Sequence, residues 1–145
     1  MGSKKVIEKE GDAVETPVAA PAAADSSSRK KFHDGIVYIQ ATYNNTMISI
    51  TDPKGNILAW SSAGSMGFKG SKKATPYAAA RVAEAVTEKV KKYGIQEVAI
   101  YVKGVGSGRE SAIRAIIGHG LQPNMIKDIT PLPHNGPRPK KPRRI

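Results

Sequence analysis

The residues best equipped for chemistry stand together in the stretch 61–74, Ser-Ser-Ala-Gly-Ser-Met-Gly-Phe-Lys-Gly-Ser-Lys-Lys-Ala. Gly64, Gly67 and Gly70 let a backbone approach a ligand closely, Lys69, Lys72 and Lys73 supply cations, and four serines supply hydroxyls. That combination suits phosphate oxygens. Fourteen residues without periodicity are also long for a connection in a compact domain, where such loops tend to be functional or disordered. Thr75-Pro76 follows as a helix start, a capping hydroxyl before a Pro whose missing N–H costs nothing at the first helical position. A helix N-terminus there would turn free N–H groups and a positive dipole end towards an anion.

A second glycine-rich run, Gly104-Val105-Gly106-Ser107-Gly108, lies between an apolar stretch and a helical one. A dinucleotide-binding turn would need Gly at the position held by Arg109, so the match is poor, although Asp128 stands about twenty residues on. A turn that brings Arg109 and a helix start to phosphate explains the same residues more simply. Catalysis has thin support. His33, His119 and His134 are the only histidines and show no metal spacing, and the absence of Cys excludes thiolate zinc sites, Cys nucleophiles and disulfides. A metal-dependent nuclease or nucleotide-binding enzyme would have to assemble Asp34, Asp52, Glu97, Glu110 and Asp128. Of the two aromatics flanking the long loop, Trp60 is expected in the core and Phe68, amid glycines and lysines, is the candidate for stacking on a base.

The elements that must hold these groups are legible in the pattern. Residues 35–43 are β-branched and aromatic, Asn44-Asn45 reads as a two-residue turn tolerant of positive φ, and Ile48 and Ile50 alternate with Met47, Ser49 and Thr51. Asp52-Pro53-Lys54-Gly55 suits a type I turn before the apolar run 57–60, completing an antiparallel meander. A helix is predicted from Thr75 to about Tyr93, with Ala79, Val82, Ala83, Val86 and Val90 as its buried stripe. Next come a buried strand at 98–102, a helix opened by the Ser107-x-x-Glu110 capping box with Ile113, Ile116 and Ile117 on one face, and a last strand at 125–129. The order βββαβαβ predicts a single α/β domain whose mixed sheet has parallel strands joined by right-handed helical crossovers.

Charge is distributed unevenly. The 145 residues carry 23 Lys+Arg against 12 Asp+Glu, a formal +11. Residues 1–28 hold three lysines and five acids and run into Ala, Pro and Ser, a composition read as a disordered extension over 1–31. No segment approaches the ~20 apolar residues of a membrane span, and no signal peptide or myristoylation motif is recognised, so an intracellular protein is expected. The folded domain is assigned to 32–131, and 132–145 to an extended, Pro-rich basic arm in which Arg138, Lys140, Lys141, Arg143 and Arg144 face no acid. A basic body with a basic arm points to a polyanionic partner, nucleic acid in particular, an architectural DNA protein being one form of it.

Several runs together resemble the family of bacterial-type protein eleven of the small ribosomal subunit. They are 43–46 (Tyr-Asn-Asn-Thr), 60–73, Thr75-Pro76-Tyr77-Ala78-Ala79, 106–114 (Gly-Ser-Gly-Arg-Glu-Ser-Ala-Ile-Arg) and 128–139 (Asp-Ile-Thr-Pro-Leu-Pro-His-Asn-Gly-Pro-Arg-Pro). The resemblance covers about residues 33–145. It implies a ribonuclease-H-like sheet, no enzymatic activity, no cofactor, metal or small-molecule substrate, and a cytoplasmic, ribosome-bound protein of bacterial or organellar type. It further implies binding to the central domain of small-subunit rRNA on the platform, bridging rRNA helices beside the cleft where messenger RNA leaves. The eighteenth and seventh small-subunit proteins would be its neighbours. Carried over by position, the RNA-facing residues are Asn44, Asn45, Lys69, Lys72, Lys73, Arg109, His134, Asn135, Arg138, Lys140, Lys141, Arg143 and Arg144.

Overall fold

A computed structural model describes residues 31–144; the extension expected over 1–31 lies, apart from Lys31, outside the described residues. Three strands, β1 (Asp34–Ala41), β2 (Thr46–Thr51) and β3 (Ile57–Ser62), form the meander. A 3₁₀ turn (Gly70–Ala74) leads into α1 (Pro76–Lys91), and β4 (Glu97–Lys103), α2 (Arg109–Gly118) and β5 (Gln122–Asp128) complete the chain order. The sheet runs β3-β2-β1-β4-β5, with β2 antiparallel to its neighbours and β1, β4 and β5 parallel. This is the single α/β domain with a mixed, ribonuclease-H-like sheet that the sequence led us to expect.

One consequence of that order decides which surfaces are free. The crossovers β3-α1-β4 and β4-α2-β5 advance across the sheet in the same direction, and right-handed crossovers of that kind put both helices on one face. Accordingly α1 packs on β2 and β3, α2 on β1, and the helices on each other. The core lies between these layers: Val37, Ile39, Ile48, Ile50, Val98, Ile100 and Val102 from the sheet meet Val82, Ala83, Val86, Val90 and Ile116 from the helices. Each fully buried Val or Ile contributes about 1.5–3 kcal/mol relative to exposure, so this two-layer packing carries the stability. Alanines at 78, 79, 83 and 112, all buried, let the helices approach closely. The opposite face of the sheet has no layer over it among the described residues.

Local chemistry sets the boundaries, and in several places moves them from where the sequence pattern put them. Ala41 pairs with Thr46, so the first turn has four residues, not two. The Thr42 hydroxyl donates to the Asn45 carbonyl (3.0 Å) and accepts from the Asn45 N–H (3.1 Å). That closure needs no left-handed residue, and neither Asn44 nor Asn45 has positive φ. The second turn follows expectation: Gly55 takes φ +92°, its N–H bonds the Asp52 carbonyl (3.0 Å), and the Asp52 carboxylate accepts from the Asn56 N–H (2.8 Å). Helix α1 ends at Lys91 instead of near Tyr93, where Gly94 (φ +75°) donates back to the Lys91 carbonyl. Strand β5 starts before Pro123, which is tolerated because this is an edge strand with no ladder bond to lose on its outer side. In α2, Ala112 and Ile116 are buried and Ile113 is half-buried, whereas Ile117 faces solvent.

Candidate nucleic-acid interface

β1, β3, β4 and β5 all finish at the same end of the sheet, and the segments that follow them meet there. The 42–45 turn, the long loop, the glycine-rich run and the start of the arm are tied by direct hydrogen bonds. Ala63 N–H donates to the Thr46 carbonyl (2.9 Å) and Gly106 N–H to the Ala41 carbonyl (2.9 Å). The Ser107 hydroxyl donates to the Ala74 carbonyl (2.8 Å), and Gly104 N–H to Thr130 Oγ1 (3.1 Å). In open α/β sheets the carboxyl ends of the strands are where ligands collect, because the loops there can vary while the sheet holds them.

The glycine-rich run exists for packing. A Cβ on Gly104 (φ +100°) would stand 2.1 Å from the Ala41 carbonyl oxygen, and one on Gly106 would stand 2.4 Å from that of Thr42. Only backbone without side chains can lie this close to the first turn, so packing by itself requires these glycines. Ser107 likewise departs from its expected part: its hydroxyl reaches Ala74 rather than capping α2, Gly108 stands at the N-cap with no side-chain bond, and Glu110 instead pairs with Arg114 at 3.1 Å.

The long loop is wired internally. Ser65 N–H donates to the Ser62 hydroxyl (3.2 Å), and the Ser65 hydroxyl donates to the Ser62 carbonyl (2.8 Å) and accepts from the Ser62 N–H (3.0 Å). The Ser65 hydroxyl also lies 3.2 Å from that of Ser61, so three of the four serines are engaged with one another where the end of β3 meets the loop. The cations are not. Lys69 and Lys72 are exposed, Lys73 is half-buried, and none joins an ion pair among the described residues. Thr75 caps α1 as expected, accepting from the Ala78 N–H at 3.3 Å, and no acid sits in the first turn to oppose an anion.

Trp60 and Phe68 exchange their expected places. Ala59 and Ser61 face the core, so strand alternation turns Trp60 outward, where it is 56% exposed. Phe68 is drawn inward by the bond from its N–H to the Ala63 carbonyl (3.2 Å), packs against the core and meets Tyr77 edge to face at 6.0 Å.

Arg109 is held within the protein. Its guanidinium donates to the Gly104 carbonyl, to Thr130 Oγ1 (3.5 Å) and to the Asp128 carboxylate. Asp128 in turn accepts from the Thr130 N–H (2.8 Å) and hydroxyl (2.6 Å). The Thr130 bonds and the Arg109 charge hold the Asp128 carboxyl well below the usual carboxylate range. This clasp joins the head of α2 to the end of β5 and sets the direction in which the arm leaves. From Pro131 to Arg144 every residue is exposed and no helix or strand forms. The arm has a bend at His134 and Asn135, where Asn135 takes φ +53°. Arg138, Lys140, Lys141, Arg143 and Arg144 make no ion pair with any described residue.

Asn44 and Asn45 stand in the first turn, with the amide oxygen of Asn45 buried and unpartnered among the described residues. The thirteen candidate residues therefore fall into two groups: turn, loop and Arg109 at the carboxyl end, and a solvent-exposed arm leading from it. The acids required by a nuclease centre do not assemble. Asp34 pairs in register with Glu97 at the amino end of the parallel strands, whereas Asp128 lies opposite Val102, five residues or about 17 Å further along. Among the described residues no three His, Cys, Asp or Glu come together as a metal site, and no helix is long and apolar enough to cross a membrane.

The family model "Ribosomal protein S11" matches residues 35–144. The chain is 56% identical over 128 residues to small ribosomal subunit protein uS11 of Borreliella burgdorferi, covering 86% of this chain and 98% of the relative. It is also 56% identical over 117 residues to uS11 of Treponema pallidum subsp. pallidum, covering 81% and 93%. The matched region takes in the sheet, both helices, the clasp and the arm, and the chain belongs to the ribosomal protein S11 family.

Proposed function

We propose that this protein is a structural constituent of the small ribosomal subunit that holds folded rRNA between the carboxyl end of its sheet and its basic arm. The observation that carries the reading is the convergence of turn, lysine loop and clasped arm at one end of a rigid sheet, in a chain whose relatives are named as small-subunit proteins and not as enzymes. In this reading Lys69, Lys72 and Lys73 and the five arm cations neutralise phosphates. Asn44, Asn45, His134 and Asn135 hydrogen-bond nucleotides, and Arg109 aims the arm. Cations position the protein and the shape of the folded RNA specifies the site. A compact body with a long arm suits a place on the subunit platform. There the arm passes between helices of the central domain near the messenger exit cleft, beside the eighteenth and seventh small-subunit proteins. Such a protein works ribosome-bound, in a cytoplasm of bacterial type.

The test is sedimentation. Tagged full-length protein expressed in a bacterium should travel with small subunits through a sucrose gradient in high salt. Tagged protein confined to the top of the gradient would reject the reading.

A further inference from the structure

The helix-free face of the sheet carries its own pattern. In register across the strands, Trp60 pairs with Ser49, Ser49 with Tyr38, Tyr38 with Tyr101, and Tyr101 with Lys127. Val37, Ile39, Ile100 and Val102 point to the core, so Tyr38 and Tyr101 point away from it, as does Lys103, next on the same side of β4. The two tyrosine rings sit 5.5 Å apart, tilted by 49°. Ser49 leaves a gap two strands wide between Trp60 and Tyr38, about 9.6 Å at the usual strand spacing. Bases stack at about 3.4 Å, so a base with a ring on either side needs close to 7 Å, which the gap accommodates.

We propose that this open face is a second RNA site, binding a single-stranded segment whose bases stack on Trp60, Tyr38 and Tyr101 while Lys103 and Lys127 take its phosphates. Charge selects the occupant. The aromatic row ends in Lys127 and the next row on this face, Ser62-Met47-Gln40-Lys103, ends in Lys103, both lysines exposed and neither in an ion pair among the described residues. Asp34 and Glu97 stand only at the opposite end of the strands, beside a shallow depression of about 390 Å³ lined by Ile36, Ala99 and Met125. A polyanion is therefore drawn to the aromatic rows and turned back at the acidic end. Aromatic rows on an open sheet flanked by cations are a sequence-tolerant platform for unpaired bases, and a duplex, whose bases already stack on one another, has none to offer.

The proposal rests on the reading that the chain binds RNA, and its test separates the two. Trp60 is the single tryptophan of the chain, so its emission reports this face alone. Full-length protein is titrated with a 12-nucleotide single-stranded RNA of mixed sequence and with a duplex of the same sequence, following both binding by filter retention and Trp60 emission. The single strand should quench Trp60, and the duplex should be retained without quenching. Tyr38→Ala with Tyr101→Ala should weaken the quenching interaction about tenfold or more. Lys69→Ala, Lys72→Ala and Lys73→Ala together should leave the quenching in place. Retention of the single strand with no change in Trp60 emission would overturn the proposal and leave RNA binding at the carboxyl end standing. No retention of either RNA would overturn both. Quenching that appears only with purified small-subunit proteins, and not with RNA, would assign the face to a protein partner and overturn it as well.

Discussion

Asp128 shows how one side chain can govern a segment that it does not belong to. Its carboxylate takes three bonds, two from Thr130 and one from Arg109, and so fixes the first residues of the arm against the head of α2. The folded-state pKa lies below the unfolded value, chiefly through the Thr130 side-chain bond. A depressed carboxylate stabilises the fold at pH above its unfolded pKa, about 3.9, and the contribution is lost as pH falls through the folded value. Thermal stability should therefore decline as pH drops below about 4, and Asp128→Asn should flatten that decline. The same variant should loosen the arm and weaken rRNA binding at neutral pH by several-fold, while Arg114→Ala, which breaks only an exposed helix pair, should not. Equal effects of the two variants on RNA binding would show that the clasp does not aim the arm. Arg109 could be picked out in the sequence as important, but not as the holder of the arm, because its partners lie five, nineteen and twenty-one residues away in sequence.

At the scale of elements, the strands and helices were legible because their apolar periods are strong. The meander, the Thr75-Pro76 helix start, the stripe Val82, Ala83, Val86 and Val90 on α1, and the crossover order all follow from alternation, turn residues and handedness. What escaped were contacts made between elements. Ser107 in a Ser-x-x-Glu spacing reads as a cap, yet Ala74 lies within reach only once the loop has folded. Trp60 reads as core on hydrophobicity, although the parity of Ala59 and Ser61 already turned it outward. The same parity, combined with two crossovers running in one direction, was the signal for an open face bearing Tyr38 and Tyr101. Two predictions belong here. Gly104→Ala should destabilise the domain by more than about 1 kcal/mol in denaturant unfolding, since it adds a clash with the Ala41 carbonyl to a strained φ. Replacing Lys69, Lys72 and Lys73 with Ala should lower the salt slope of rRNA binding by about three while leaving the thermal transition within a degree or two, because these exposed or half-buried ends make no ion pair among the described residues. A large loss of stability in the lysine variant would mean that the loop serves the fold and not the RNA.

For the whole molecule, the formal +11 resolves into parts with different work. The three residues 29–31 add three positive charges, residues 32–137 a net five, and the last eight residues five more, against a net of minus two on 1–28. A rigid sheet presents the lysine loop at one end, and the clasp sends the arm out from that same end, so body and arm can hold one RNA surface together. Each phosphate neutralised releases counterions, which makes the salt dependence of binding a count of these contacts. Removing residues 138–145 and measuring binding to small-subunit central-domain rRNA across a range of salt therefore tests the account most directly. The account predicts that the slope of log affinity against log salt falls by about four, with the thermal transition of the body nearly unchanged. An unchanged slope would contradict it.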